Sequence, residues 1–167
     1  FADRVRAHLF HGGLLTPDTA AAMYMSRLSQ IDRAVVAESA RWGDNRNPDQ
    51  PPYTRETWLA ERDRLLTEWF PARTAVLLAQ LEEDGLYPAT PAPEFSQYGG
   101  EVDDDFLLSI VDPSGVGQVF YTTDGSDPRL PGGVLSGEAR AGTSVTVASS
   151  TRVRARTRSP GGEWSAM

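Results

Sequence analysis

At residues 86–93 the chain changes its hydrophobic period, and a single kind of secondary structure cannot satisfy both halves. Before this stretch, apolar residues recur at the three-to-four-residue spacing of a helix face. After it they alternate, as side chains do on a pleated strand. Three prolines (Pro88, Pro91 and Pro93) mark the junction. The pattern predicts an α+β chain with its two kinds of element segregated, divided into residues 1–88 and 89–167.

The first half reads as three or four helices. Ala2–Phe10 is short and ends at Gly12–Gly13. Thr16 stands at an N-cap position, with Pro17 at the first helical position and Asp18 complementing the helix dipole. Tyr24, Leu28, Ile31, Val35 and Trp42 then form one stripe on a helix reaching about Arg41. Gly43, Asn45, Asn47, Pro48 and Pro51–Pro52 make a loop. Thr54 caps a further helix carrying Trp58, Leu65, Leu66 and Trp69. Pro71 marks a break and restart, and Gly85 is a left-handed C-cap. Stripes that face one another predict a helical bundle that packs against a neighbour.

In the second half Phe106–Val111, Gln118–Thr123, Ser144–Ser149 and Thr151–Arg158 read as strands separated by Gly, Pro and Asp clusters. Short antiparallel strands of this kind predict a small β-sandwich of immunoglobulin-like type, its last strand expected to be clipped where the sequence ends at Met167, just after Trp164–Ser165–Ala166. In Thr151–Arg158 the alternation places Val153 and Ala155 inward and Arg152, Arg154, Arg156 and Arg158 outward.

Composition excludes several chemistries. The 167 residues include no Cys, and all 16 basic residues are Arg. Thiolate nucleophiles, zinc–sulfur sites, a P-loop Lys and Schiff-base chemistry are therefore outside this chain's means. A net charge of −7 argues against nucleic-acid binding. No run approaches the roughly 20 apolar residues that cross a bilayer, so no membrane insertion is expected. Phe1 opens directly on an amphipathic segment without a signal peptide, which suggests a piece of something larger.

Two stretches carry family resemblances. Val119-Phe-Tyr-Thr-Thr-Asp-Gly-Ser-Asp-Pro-Arg129, followed by Thr151-Arg-Val-Arg-Ala-Arg156, resembles the chitobiase/β-hexosaminidase C-terminal domain family, and Glu94-Phe-Ser with Gly99–Gly100 fits that family's opening strand and turn. The match covers roughly residues 91–167 and implies a small immunoglobulin-like sandwich appended to an extracellular bacterial protein. Phe1-Ala-Asp-Arg-Val5, the stretch Gly13 to Thr16, Ile31 to Asp44, Trp69-Phe-Pro-Ala-Arg-Thr74 and Gly85-Leu-Tyr-Pro88 are similar to the region following the kinase core in the spore-coat protein H (CotH) kinase family. This second resemblance implies a secreted or cell-surface kinase-like parent whose catalytic residues lie outside this chain. No catalytic residue, metal or cofactor is carried over.

Each candidate site has a plain structural alternative. His8 and His11 share a helix face, but interaction of a histidine with the helix C-terminus explains both without a metal. Glu38, Arg41 and Trp42 form either an ordinary intrahelical group or a docking point for the kinase-like core. Asp124, Gly125, Asp127 and Pro128 are best read as a tight turn, since a calcium site lacks its further ligands. Asp103–Asp105 and the arginine row are either a salt-bridged outer face or a surface for an anionic polymer, with Arg154 and Arg156 central to it. A sugar-binding surface would need exposed rings, and Tyr98, Phe120, Tyr121 and Trp164 are the candidates. Adjacent Phe120 and Tyr121 point to opposite faces, so one of them is expected to be outward. Tyr121 in the core with its hydroxyl satisfied is the alternative.

The sequence therefore predicts a non-catalytic accessory or interaction module, with carbohydrate or a cell-surface polymer as the ligand class and the parent's kinase-like core as partner. Its alternative is a structural spacer that stabilises that core and positions downstream domains.

Overall fold

A computed structural model describes residues 1–44 and 50–167. Asn45, Asn47 and Pro48 of the expected loop lie outside the described residues. Helices precede strands, giving a mixed α+β chain. Two compact units are present, His8–Ala79 and a second that joins Phe1–Ala7 to Gln80–Met167. Thus the first seven residues belong with the strands, although their sequence is helical.

Helix α1 spans Ala2–Leu9 and ends where His11 (φ 51°) and Gly12 (φ 76°) turn left-handed. Helix α2, Pro17–Trp42, starts at Pro17 after an extended Thr16. The Thr16 hydroxyl accepts from no backbone N–H of the helix; it donates back to the Gly13 carbonyl at 2.8 Å. Helix α3, Arg55–Arg64, opens with a reciprocal box in which the Thr54 N–H donates to Thr57 Oγ1 at 2.9 Å and the Thr57 N–H donates to Thr54 Oγ1. The expected break near Pro71 is a π-helical turn over Leu65–Trp69, from which helix α4, Phe70–Glu83, continues. Proline donates no hydrogen bond, and its ring crowds the carbonyl four residues back. A widened turn just before it, with the Phe70 N–H reaching Leu65 O, relieves both problems.

Within the helical unit Arg55 forks onto Asp32, with Nη2 2.8 and 3.0 Å from the two carboxylate oxygens. The Tyr24 and Phe70 rings lie 5.2 Å apart. The expected stripe on α2 is only partly covered: Leu28 is buried, whereas Ile31 is 47% and Trp42 45% exposed. Too little chain opposes α2 within this unit to bury the whole face.

The strands form two antiparallel three-stranded sheets. One has the order β1(Glu94–Phe95), β2(Phe106–Val111), β5(Ser144–Val147), and the other β4(Arg140–Ala141), β3(Gln118–Thr122), β6(Arg154–Arg158). β2 matches its sequence-read limits, while β3, β5 and β6 are shorter than expected. Ile110 of β2, Val119 and Tyr121 of β3, and Ala155 of β6 make one buried cluster, so the two sheets contribute to a common core. Alongside β6, the Ser165 N–H donates to Thr157 O and the Thr157 N–H to Ser165 Oγ, both at 2.9 Å. Arg158 and Trp164 also bridge antiparallel. The chain after β6 thereby covers an edge that would otherwise offer free backbone groups.

Before α4 meets this unit's first strand, Gly85 (φ 68°) closes the helix, with the Leu86 N–H donating to Leu81 O at 2.8 Å. One polar atom of the core is unsatisfied among the described residues: the hydroxyl of Thr157, a residue with no exposed surface. Replacing it by a methyl keeps the shape and removes the desolvation cost, so Thr157→Val is expected to raise stability by about 1 kcal/mol in urea unfolding.

Candidate functional site

The two buried aromatics expected to bind a ligand do not form a surface. β3 is the middle strand of its sheet, and Val119, Phe120, Tyr121 and Thr122 are all buried. Phe120 and Tyr121 do point to opposite faces, but both faces are covered, so neither ring is outward. Tyr121 faces the common core with Ala155 as its cross-strand partner. Trp164 packs 5.5 Å from the Phe120 ring and donates from Nε1 to Gly133 O at 2.8 Å. The Arg158 guanidinium lies 5.4 Å from the centroid of the Trp164 ring as a cation–π partner.

Arg156 is the largest departure from the sequence reading. Paired with Phe120 across the sheet, it faces away from the core cluster, as the alternation requires. That outer face is not solvent, however, and Arg156 is only 1% exposed. All five of its N–H donors are used. Nε and Nη2 donate to the two Asp127 oxygens at 2.7 and 2.6 Å, Nη1 and Nη2 to the two Asp3 oxygens at 2.9 and 2.7 Å, and Nη1 to Ser165 O at 2.7 Å. Asp3 Oδ1 also accepts from the Met167 N–H at 2.8 Å. Arg156 is therefore a buried tie between the amino-terminal segment, the Asp124–Pro128 turn and the chain's last residues, and is not available to a ligand.

The electrostatics follow from this arrangement. Burial opposes the charge of Arg156, but the hydrogen bonds to Asp127 and Asp3 outweigh it and hold its pKa above the ordinary value. For Asp3 and Asp127, burial likewise opposes ionisation, and the hydrogen bonds led by Arg156 outweigh it, leaving both pKa values lowered. The turn itself forms as read. Asp124 Oδ1 accepts from the Ser126 N–H at 2.9 Å, Gly125 has φ 79°, Asp127 Oδ1 accepts from the Arg129 N–H at 2.9 Å, and Pro128 is fully buried.

Arg154 is half-buried. Glu38 and Arg41 are exposed, and the Arg41 guanidinium lies 4.9 Å over the Trp42 ring. Among the described residues no group of three His, Cys, Asp or Glu side chains is placed to hold a metal, and no helix is long and apolar enough to cross a membrane.

An open cleft of about 340 Å³ lies elsewhere in the strand unit. Phe95, Tyr98, Phe106, Leu108, Val147 and Val153 form its apolar walls, and Gln97, Thr151 and Arg152 its polar edge. Tyr98 is 47% exposed, with its ring edge-on to Phe95 at 5.6 Å and 78°. The Phe95 N–H donates to Tyr98 Oη at 3.0 Å, and Gln97 Nε2 donates to Gly99 O at 2.7 Å. Gly99 and Gly100 (φ 81° and 96°) turn the chain left-handed directly after Tyr98. Tyr98 was legible as a candidate ring. Its proximity to Arg152 was not, because the two reach the cleft from segments more than fifty residues apart.

No protein-family model, no curated protein and no solved structure matches the chain.

Because both carboxylates of the tie have lowered pKa values, their stabilisation is complete above the ordinary value of 3.8 and is lost as pH falls below it. The unfolding free energy is expected to be level from about pH 7 to pH 5 and to drop below about pH 4. Asp3→Asn should flatten that drop. Arg156→Met should destabilise the protein by about 3 kcal/mol at neutral pH, measured by urea unfolding, because two partly buried carboxylates lose their counter-charge.

Proposed function

We propose that the chain is a non-catalytic accessory module of an extracellular, CotH-type kinase-like protein, and that its two sheets are an immunoglobulin-like sandwich of the chitobiase C-terminal type that binds a sugar ring of a surface polymer. The observation that carries the reading is the cleft at Tyr98. Its volume, about 340 Å³, lies within the range of small-ligand sites, about 300–1,000 Å³. It combines a half-exposed ring, on which the apolar face of a pyranose can stack, with amide and hydroxyl groups at its edge. The hydrogen bond at the Tyr98 hydroxyl and the edge-on Phe95 hold that ring before a ligand arrives, which lowers the ordering cost of binding.

A second reading, a spacer that stabilises a kinase-like core, draws on a different observation. α2 leaves Met23, Ile31 and Trp42 exposed on one side in the helical unit, beside Glu38 and Arg41. An apolar face of this kind suits burial against a partner. The two readings are compatible, one module serving both as a binding surface and as a brace.

Titration of the whole chain with chitin oligosaccharides and peptidoglycan fragments, followed by two-dimensional NMR, separates them. The binding reading predicts saturable shifts centred on Phe95–Gly100, with affinity reduced about tenfold or more in Tyr98→Ala and unchanged in Trp164→Phe. No shift at millimolar ligand would leave the spacer reading alone.

A further inference from the structure

Arg152 stands in the lining of the Tyr98 cleft. It is the one charged residue among the cleft's described lining residues. Unlike Arg156, it has no carboxylate within 4.0 Å among the described residues. Its neighbour along the chain, Thr151, donates its hydroxyl to Ser149 O at 2.7 Å, which orients the rim. The aliphatic part of Arg152 lies against the Asp124–Gly125 turn so closely that a Cβ on Gly125 would be 2.8 Å from Arg152 Cδ. The turn's glycine thus leaves room for a seated side chain, and the guanidinium retains its five donors for something else.

A second hollow adjoins the cleft and shares Gly100, Val102, Val147 and Thr151 with it. Glu101, Asp103 and Asp104 line that hollow. A ligand carrying a row of negative charges would be repelled there, while a single carboxylate at Arg152 would not. Apolar ring walls, one unpaired guanidinium and an acidic shoulder therefore define a bipolar site.

We infer that the cleft selects a sugar ring bearing a single carboxylate, such as a muramic or uronic acid, with Arg152 taking the carboxylate and Tyr98 stacking on the ring. This inference rests on the sugar-binding reading above and names its substrate class. It also makes Arg152 a specificity residue and removes neutral chitin from first place among ligands.

The test uses the full chain and matched ligands in NMR titrations at low ionic strength: N-acetylmuramic acid against its methyl ester, and glucuronic acid against glucose. The acid is expected to bind about fivefold tighter than its neutral counterpart, the size of one partly exposed ion pair. The advantage should shrink with added salt. Arg152→Gln should bring the acid-to-ester ratio to about one without weakening the ester, Arg152→Lys should restore part of the preference, and Tyr98→Ala should weaken both ligands. Preference for acid in only one of the two pairs would tell a muramic from a uronic source and would still support the inference. Equal, Tyr98-dependent binding of acid and neutral forms would overturn the role of Arg152 and leave sugar binding standing. Absence of binding by every sugar would overturn both.

Discussion

A guanidinium that gives all five of its hydrogen bonds to protein, four of them to two carboxylates, holds the strand unit together from both ends. Arg156 gathers Asp3 from the first helix, Asp127 from the turn after β3 and Ser165 from the last residues. Removing a charge of this kind from water is costly, and only dense pairing makes it tolerable. Here the planar fork of arginine matters. Two carboxylates approach bidentately along different edges, a geometry a lysine could not reproduce. The tie also explains why residues 1–7 fall with the strands: the link between Asp3 and Arg156 spans 153 positions of sequence.

The same tie bears on what a middle strand can expose. Once the outer face of β3 and β6 is occupied by the Asp127 turn, Trp164 and the chain end, Phe120 and Arg156 are sealed beneath them. Rings and charges that look suited to a ligand become internal. The open cleft lies beside the other sheet, where Phe95 and Tyr98 stand before β2 and Arg152 follows β5. Two arginines four residues apart thus meet different surroundings: Arg156 is saturated by carboxylates and, among the described residues, Arg152 has none within 4.0 Å. Their difference is of environment, since the two share chemistry and sequence context.

Local signals were legible in the sequence. Pro17 and Thr54 start helices, Gly85 ends one, Asp124–Gly125 makes its turn, and β2 has its predicted limits. Each depends on backbone preferences acting over a few residues. The alternation of β6 was also correct, since Arg156 and Ala155 do face opposite ways. What alternation cannot supply is whether the outer face meets water. Asp3 covers it from the far end of the sequence, and nothing near Arg156 announces that partner. Thr16 illustrates a smaller limit: its position at the helix start was right, yet its hydroxyl turns to Gly13. The stripe on α2 was read correctly as apolar, whereas its burial depends on how much chain stands opposite, a quantity periodicity does not contain.

The most direct test of the structural account is a double-mutant cycle between Asp3 and Arg156, using Asp3→Asn, Arg156→Gln and the double variant in urea unfolding at neutral pH. The tie predicts a coupling of about 1.5–3 kcal/mol, because the hydrogen bonds are charge-assisted and the guanidinium is buried. A coupling within about 0.5 kcal/mol of zero would contradict it, since distant independent sites add to that accuracy. In that case the first helix would not be fastened to the strands through Arg156.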